Sequence, residues 1–226
     1  MDVTQIIRVY EKRLRDSPTI KDIAVKAATY KDAQNYSTKT AEALIDVLKR
    51  YVDVTALTQD EALELFPAVL ERNYVEVVRI CANVQQKINK RAGLGLKALE
   101  PEFNLEKAQG LATAITDMEE VTDDYIRNLV INNSRSIVDD TVRINAEAEA
   151  NMGLVVHITR RYDDVGLHNG KDVCQWCMDR EGDWTDYQEA YSAGCFERHP
   201  GCGCVIDYHV GKTHTWSNSK GGWRDV

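Results

Sequence analysis

Up to Gly153 the apolar side chains recur every three or four residues, the period of a helix with one buried face. Beyond it they alternate, the period of a half-buried strand. A first helix carries Ile6, Ile7, Tyr10 and Leu14 on one face and stops before Ser17-Pro18. A second is predicted from about Ile20 to Ala33. A third opens at Ser37 or Thr38, with Leu44, Ile45, Leu48, Tyr51 and Val52 on one stripe. Thr58 and Glu61 have the spacing of a capping box, and Pro67 starts or kinks the helix that follows. Leu70, Tyr74, Val77, Val78, Cys81, Val84 and Ile88 form its apolar seam, which makes Cys81 a core thiol.

Gly93-Leu94-Gly95 ends this helix, and the segment to Asn104 reads as a loop. A helix from Leu105 sets Leu105, Ala108, Leu111, Ala112 and Ile115 together. Another runs from near Val121 toward Asn132, and the last covers roughly 134–150 with Ile137, Val138, Val142 and Ala146 buried. Arg135, Asp139, Asp140 and Arg143 are assigned to its solvent faces, as charges on a helix usually are. Asp123-Asp124 is read as surface too, because adjacent carboxylates on a helix do not face each other.

After Gly153, Leu154 to Tyr162 is predicted as a strand, with Val156, Ile158 and Tyr162 on one face and Val155, His157 and Thr159 on the other. Asp163 to Asp172 is turn-rich, and neither Asp163-Asp164 nor His168-Asn169 makes a catalytic signature. Val205 to Val210 alternates again, and Gly211-Lys212 is expected to turn it into a partner strand reaching Trp216. The tail from Ser217 is polar and glycine-rich, expected to be flexible or to order only against a partner.

Composition changes at the same place as the period. Every histidine and tryptophan and every cysteine but Cys81 lies beyond Gly153. The fold class is therefore α+β: a mainly helical body over 1–152, and a small zinc-stabilised, β-containing module over 153–226. No apolar run approaches the ~18 residues that a membrane helix needs, so no membrane partner is expected. The opening residues show no export leader, which predicts a reducing cytoplasm during synthesis. A formal net charge of −8 argues against a general nucleic-acid coat.

The chemistry is concentrated in Cys174-Gln175-Trp176-Cys177 and His199-Pro200-Gly201-Cys202-Gly203-Cys204. Two thiols two residues apart can turn inward together, and a second pair completes a tetrahedron around Zn²⁺. His199 and Cys202 are the best reading of that second pair, in a turn stiffened by Pro200 and permitted by Gly201 and Gly203. Cys204 is the alternate ligand, since Cys202 and Cys204 share a face of an extended segment, and Cys195 is a weaker substitute. A disulfide cluster or buried free thiols would also account for the cysteines, though the paired spacing favours metal. Protein fills every ligand position, so the site reads as structural rather than catalytic, and no nucleophile, base and pocket occur together. Trp176, Trp184 and Trp216 are expected to cover a small core around the ion.

These elements resemble the Mu F-like minor head proteins of tailed bacteriophages. The resemblance rests on Asn133-Ser134-Arg135, Asn151-Met152-Gly153, Arg160-Arg161-Tyr162, the CxxC with Gly182, and the final His-Pro-x-Cys-x-Cys, and it spans roughly 133–210. The family usually has Arg between its last two cysteines, where this chain has Gly203, and a Trp before the CxxC, where it has the Arg161-Tyr162 region. The resemblance implies a non-enzymatic, low-copy head component. Its expected partners are the portal protein, capsid or scaffold proteins and phage DNA, with the virion or procapsid interior as its destination after synthesis in the host cytoplasm. The alternative is a zinc-dependent nucleic-acid-binding module using Arg160, Arg161, Lys212, Lys220 and Arg224 with Trp216 and Trp223.

Overall fold

The computed structural model describes residues 2–118, 121–162, 174–199 and 201–211, with the backbone of 215–217 and 222–224. Among the described residues six α-helices precede the first strand: α1 (Val3–Asp16), α2 (Pro18–Lys26), α3 (Tyr30–Tyr51), α4 (Gln59–Arg91), α5 (Leu105–Thr116) and α6 (Asp123–Asn151), with a short 3-10 helix, Val54–Ala56, between α3 and α4. Then come β1 (Val155–Tyr162), α7 (Gln175–Met178), β2 (Gly182–Trp184), α8 (Tyr187–Ser192) and β3 (Cys204–Gly211). The last two strands, β4 (Thr215–Ser217) and β5 (Gly222–Arg224), pair with each other. The α+β class expected from the sequence is what the chain adopts.

Local chemistry explains the helix ends, including two that differ from expectation. α2 stops at Lys26, and α3 begins seven residues before Ser37 because Thr29 and Asp32 form a capping box there. The Thr29 hydroxyl accepts from Asp32 N, and the Asp32 carboxylate accepts from Thr29 N at 2.9 Å. The predicted box of Thr58 with Glu61 does open α4, and Pro67 lies inside that helix rather than at its start. Gly93 closes α4 at φ 70°, with Leu94 N reaching back to Asn89 O at 2.8 Å, a Schellman end. The two helices expected on either side of Asn132-Asn133 are one continuous α6. Leu105 is half exposed at the first turn of α5, off the face shared by Ala108, Leu111, Ala112 and Ile115.

α1, α3, α4 and α6 bury Tyr10, Leu44, Leu48, Leu65, Phe66, Leu70 and Val138 among them. A buried polar chain crosses this core: Tyr10 Oη donates to Asn73 Oδ1 at 2.8 Å, Asn73 Nδ2 to Ser134 Oγ at 2.8 Å, and Ser134 Oγ to Ser37 O at 2.9 Å. Each member is satisfied, so the chain fixes the register of α1, α4, α6 and α3 without orphaned polar groups. The long loop after α4 is pinned by Asn145, which exchanges two 2.8 Å hydrogen bonds with the backbone of Leu99.

The main sheet is antiparallel in the order β2-β1-β3, with Ile158 opposite Tyr208 and Tyr162 opposite Cys204. Its inner face presents Val156, Ile158, Ile206, Tyr208 and Val210, which join the same hydrophobic core as the helices. Gly153 thus marks a change of secondary structure across which the core is continuous. Tyr208 donates to Glu149 of α6, and its ring meets Tyr30 edge-on at 6.3 Å. Among the described residues, 215–217 do not pair with β3 as expected; β4 pairs with β5, where Trp216 lies opposite Trp223 in the backbone register.

Candidate metal centre

The CxxC forms because Cys174 sits at the N-terminal boundary of α7, and its carbonyl accepts from Cys177 N at 3.0 Å and Met178 N at 3.1 Å. This single turn brings both sulfurs to one side. The second segment closes through Cys202 N to His199 O at 3.0 Å, with Gly201 at φ 77°. Gly203 does not use the left-handed region, so only Gly201 carries the backbone role expected of both. Pro200 lies outside the described residues.

All five sequence-predicted ligands converge. Cys174, Cys177 and His199 form one trio of donor atoms, and Cys177, Cys202 and Cys204 a second, with Cys177 common to both. His199 Nε2 stands 3.0 Å from Cys177 Sγ and 3.2 Å from Cys174 Sγ, and the sulfurs of Cys177 and Cys202 are 3.8 Å apart. No disulfide joins any of the cysteines, and Cys195 lies instead in the main hydrophobic core. Cys81 is buried in that core too, where burial pushes its thiol up to about 12.

No protein-family model, curated protein or solved structure matches this chain. The reading of the centre therefore rests on its own chemistry.

Three arginines surround the sulfurs, and the solvent-exposed placement expected for Arg135 and Asp139 is incorrect. Arg135 is 4% exposed, Arg160 1% and Asp139 1%, and the side chain of Arg198 is equally buried. Arg135 donates from α6 to the carbonyls of Cys202 (3.1 Å), Gly203 (3.3 Å) and Cys204 (3.1 Å), and through Nε to Gln34 Oε1 at 2.8 Å. Arg198 grips Asp139 with Nε and Nη2, and Gln34 Nε2 donates to the same carboxylate at 2.7 Å. Arg160 of β1 donates to the carbonyls of Cys195 and Glu197. Arg160 and Arg198 also approach Cys202 Sγ, at 3.6 and 3.7 Å.

Periodicity contained the signal for these burials. Arg135, Asp139, Val142, Ala146 and Glu149 share the inward face of α6, and Arg160 follows Val156 and Ile158 at the strand period. Residue type argued for solvent, whereas spacing argued for the core.

The thiols respond to this setting in opposite directions. A hydrogen bond from Cys204, then the charges of Arg198 and Arg160, hold the Cys202 thiol far below its usual range against the effect of burial. Its hydrogen bond to Cys202 and its own burial push Cys204 up, while burial pushes up Cys177. A divalent ion would replace the shared protons. The donors fit such an ion: soft sulfurs and an imidazole, with the nearby carboxylate already committed to Arg198. The 3.8 Å sulfur separation also equals the edge of about 3.8 Å expected for a tetrahedron with metal–sulfur bonds of about 2.3 Å.

Trp176 covers the centre as expected, its ring 4.9 Å from His199 and 3.9 Å beneath Arg180. Trp184 packs on the main core, where the missing side chain of Gly182 makes room for its indole: a Cβ would stand 2.5 Å from the ring. Among the residues of the nucleic-acid alternative, Arg160 is buried and Arg161 pairs with Asp183. The side chains of Lys212, Trp216, Lys220, Trp223 and Arg224 lie outside the described residues, as do Asp163-Asp164 and His168-Asn169. Asp123 is exposed and pairs with Lys49 at 2.8 Å, as a surface reading requires. No described helix is long and apolar enough to cross a membrane.

Proposed function

We propose that this chain is a structural, non-enzymatic minor head protein of a tailed bacteriophage. In this reading it enters the procapsid at the portal vertex, acts in head assembly and DNA packaging or ejection, and holds one structural Zn²⁺. The observation that carries the reading is the convergence of the motif elements behind the resemblance. Arg135, Arg160, the CxxC and the final His-x-x-Cys-x-Cys are spread over some seventy residues, yet they meet around one buried centre. Zinc suits the centre because sulfur and imidazole ligands with no committed open position describe a closed structural site. The helical body and the metal-held segment share one core, which suits a part that must dock on a larger assembly as a rigid piece. The partners in this reading are the portal protein with capsid or scaffold proteins, and its location is the procapsid or virion interior.

Quantitative mass spectrometry of purified procapsids and virions tests this by counting the chain against the portal and major capsid proteins. A small, portal-like copy number is expected. Absence from both particles would remove the head reading.

A further inference from the structure

The helical body holds a cleft of about 340 Å³ whose walls come from α1, α2, α3 and α4. Four cations line it, Arg15, Lys21, Arg72 and Arg79, against two carboxylates, Glu11 and Glu76. The cleft therefore carries an excess of two positive charges in a chain whose net charge is −8. Neighbouring acids do not offset it: Asp22 of α2 pairs with Lys26 at 2.7 Å, and the exposed Asp16 does not line the cleft.

Both lining carboxylates are spent on the arginines of α4. Glu76 accepts from Arg72 Nη2 at 2.8 Å and from Arg79 Nη2 at 3.0 Å, while Glu11 Oε1 stands 2.7 Å from Arg72 Nε. The Glu11 contact is an ion pair without hydrogen-bond alignment, so the buried Arg72 Nε keeps an unused donor among the described residues. Arg15 and Lys21 are exposed and have no carboxylate partner among the described residues. Cations on a convex surface are simply hydrated, whereas cations gathered at a cleft with protein walls focus their field and draw in an anion. Tyr36 adds a hydroxyl: burial, then the Glu76 charge, pushes its phenol up to about 12, so it keeps its proton at neutral pH. The rest of the lining, Leu14, Ile20 and Ala24, is apolar.

We propose that this cleft binds a phosphate monoester, with the phosphate held by Arg15, Lys21 and Arg79 and the organic group packed on Leu14, Ile20 and Ala24. A monoester carries about −1.5 to −2 charges at neutral pH, which matches the excess, whereas a carboxylate or a sulfate ester brings one. Guanidinium forks suit phosphate oxygens, and the volume falls in the range of about 300–1,000 Å³ of small-molecule pockets, with room for more than the phosphate alone. No lining residue is a candidate metal ligand, so the site stands apart from the metal centre.

Titration calorimetry of the full-length chain with phenyl phosphate tests the site, at about pH 8, well above the second phosphate pKa of about 6. Saturable binding of one molecule per chain is expected. Arg15→Gln and Lys21→Gln should each weaken it about tenfold, the loss of one charge-assisted hydrogen bond. Both side chains are exposed, and unchanged far-UV circular dichroism checks that the variants keep the fold. Phenyl sulfate, of the same shape but one negative charge, should bind about tenfold more weakly or worse. Equal affinity for the sulfate would overturn the dianion assignment. Undiminished binding by the Arg15→Gln, Lys21→Gln double variant would put the ligand elsewhere and overturn the site, as would a wild-type chain that shows no saturable binding at millimolar phenyl phosphate.

Discussion

Replacing Asp139 by asparagine removes the buried carboxylate from among three buried arginines while leaving shape and volume almost unchanged. Arg198 holds this carboxylate through two nitrogens, and Gln34 donates to it at 2.7 Å. Burial raises the Asp139 carboxyl above the ordinary carboxylate range, and the Arg198 charge beside it opposes that rise. Breaking a buried ion pair by removing one partner costs about 3–5 kcal/mol, because the other charge is left uncompensated. Asparagine can still accept from Gln34 and Arg198, so the lower end, about 3 kcal/mol, is expected. For a chain of this length that is a fall of about 6–12 °C in Tm. The assay is thermal unfolding of the metal-loaded protein followed by far-UV circular dichroism. Asp140→Asn is the control: Asp140 is half exposed, stands 3.6 Å from Arg143, and should shift stability by no more than about 0.5 kcal/mol. Equal shifts for the two variants would refute the idea that the arginine cluster depends on Asp139.

Chelation should disorder 174–211 and also speed hydrogen exchange near Gln34 and Arg135, because Arg135 ties the carbonyls of 202–204 to α3 and α6; peptide-resolved exchange confined to 174–211 would contradict this coupling. Tryptophan emission should change in the same experiment, since the Trp176 ring meets His199 edge-on and lies beneath Arg180. Thr29→Ala should cost about 1 kcal/mol in denaturant unfolding by removing the cap of α3; a neutral result would argue against a helix start at Tyr30. Burial raises the Glu149 carboxyl above its ordinary 4.5, against hydrogen bonds from Tyr208 and Gln85 that lower it. The folded chain then holds that proton more tightly than the unfolded one, so stability falls as pH rises from about 4.5 through the raised value. Glu149→Gln should flatten that fall, and an unchanged pH profile would assign it to another group.

The sequence by itself determined the elements whose causes are local. The capping box of Thr58 with Glu61, the glycine end at Gly93 and the alternation of Val156 with Ile158 each depend on neighbours within a few positions, and each occurs as read. The ligand set was legible for the same reason: a CxxC turn and a His-x-x-Cys turn are short-range geometry, and all five candidate donors meet. Tertiary structure alone decided the fate of the charges. Whether Arg135, Asp139 and Arg160 face water or the core depends on partners up to about seventy positions away, on the carbonyls of 202–204 and on Arg198. A charged residue is placed inside only when such partners satisfy it, and pattern reading within one helix or strand does not see them. The union of the two predicted helices into α6 has the same origin. Asn133 and Ser134 are weak helix formers, yet both are buried in α6, where Ser134 is held by Asn73 and Ser37 from other helices.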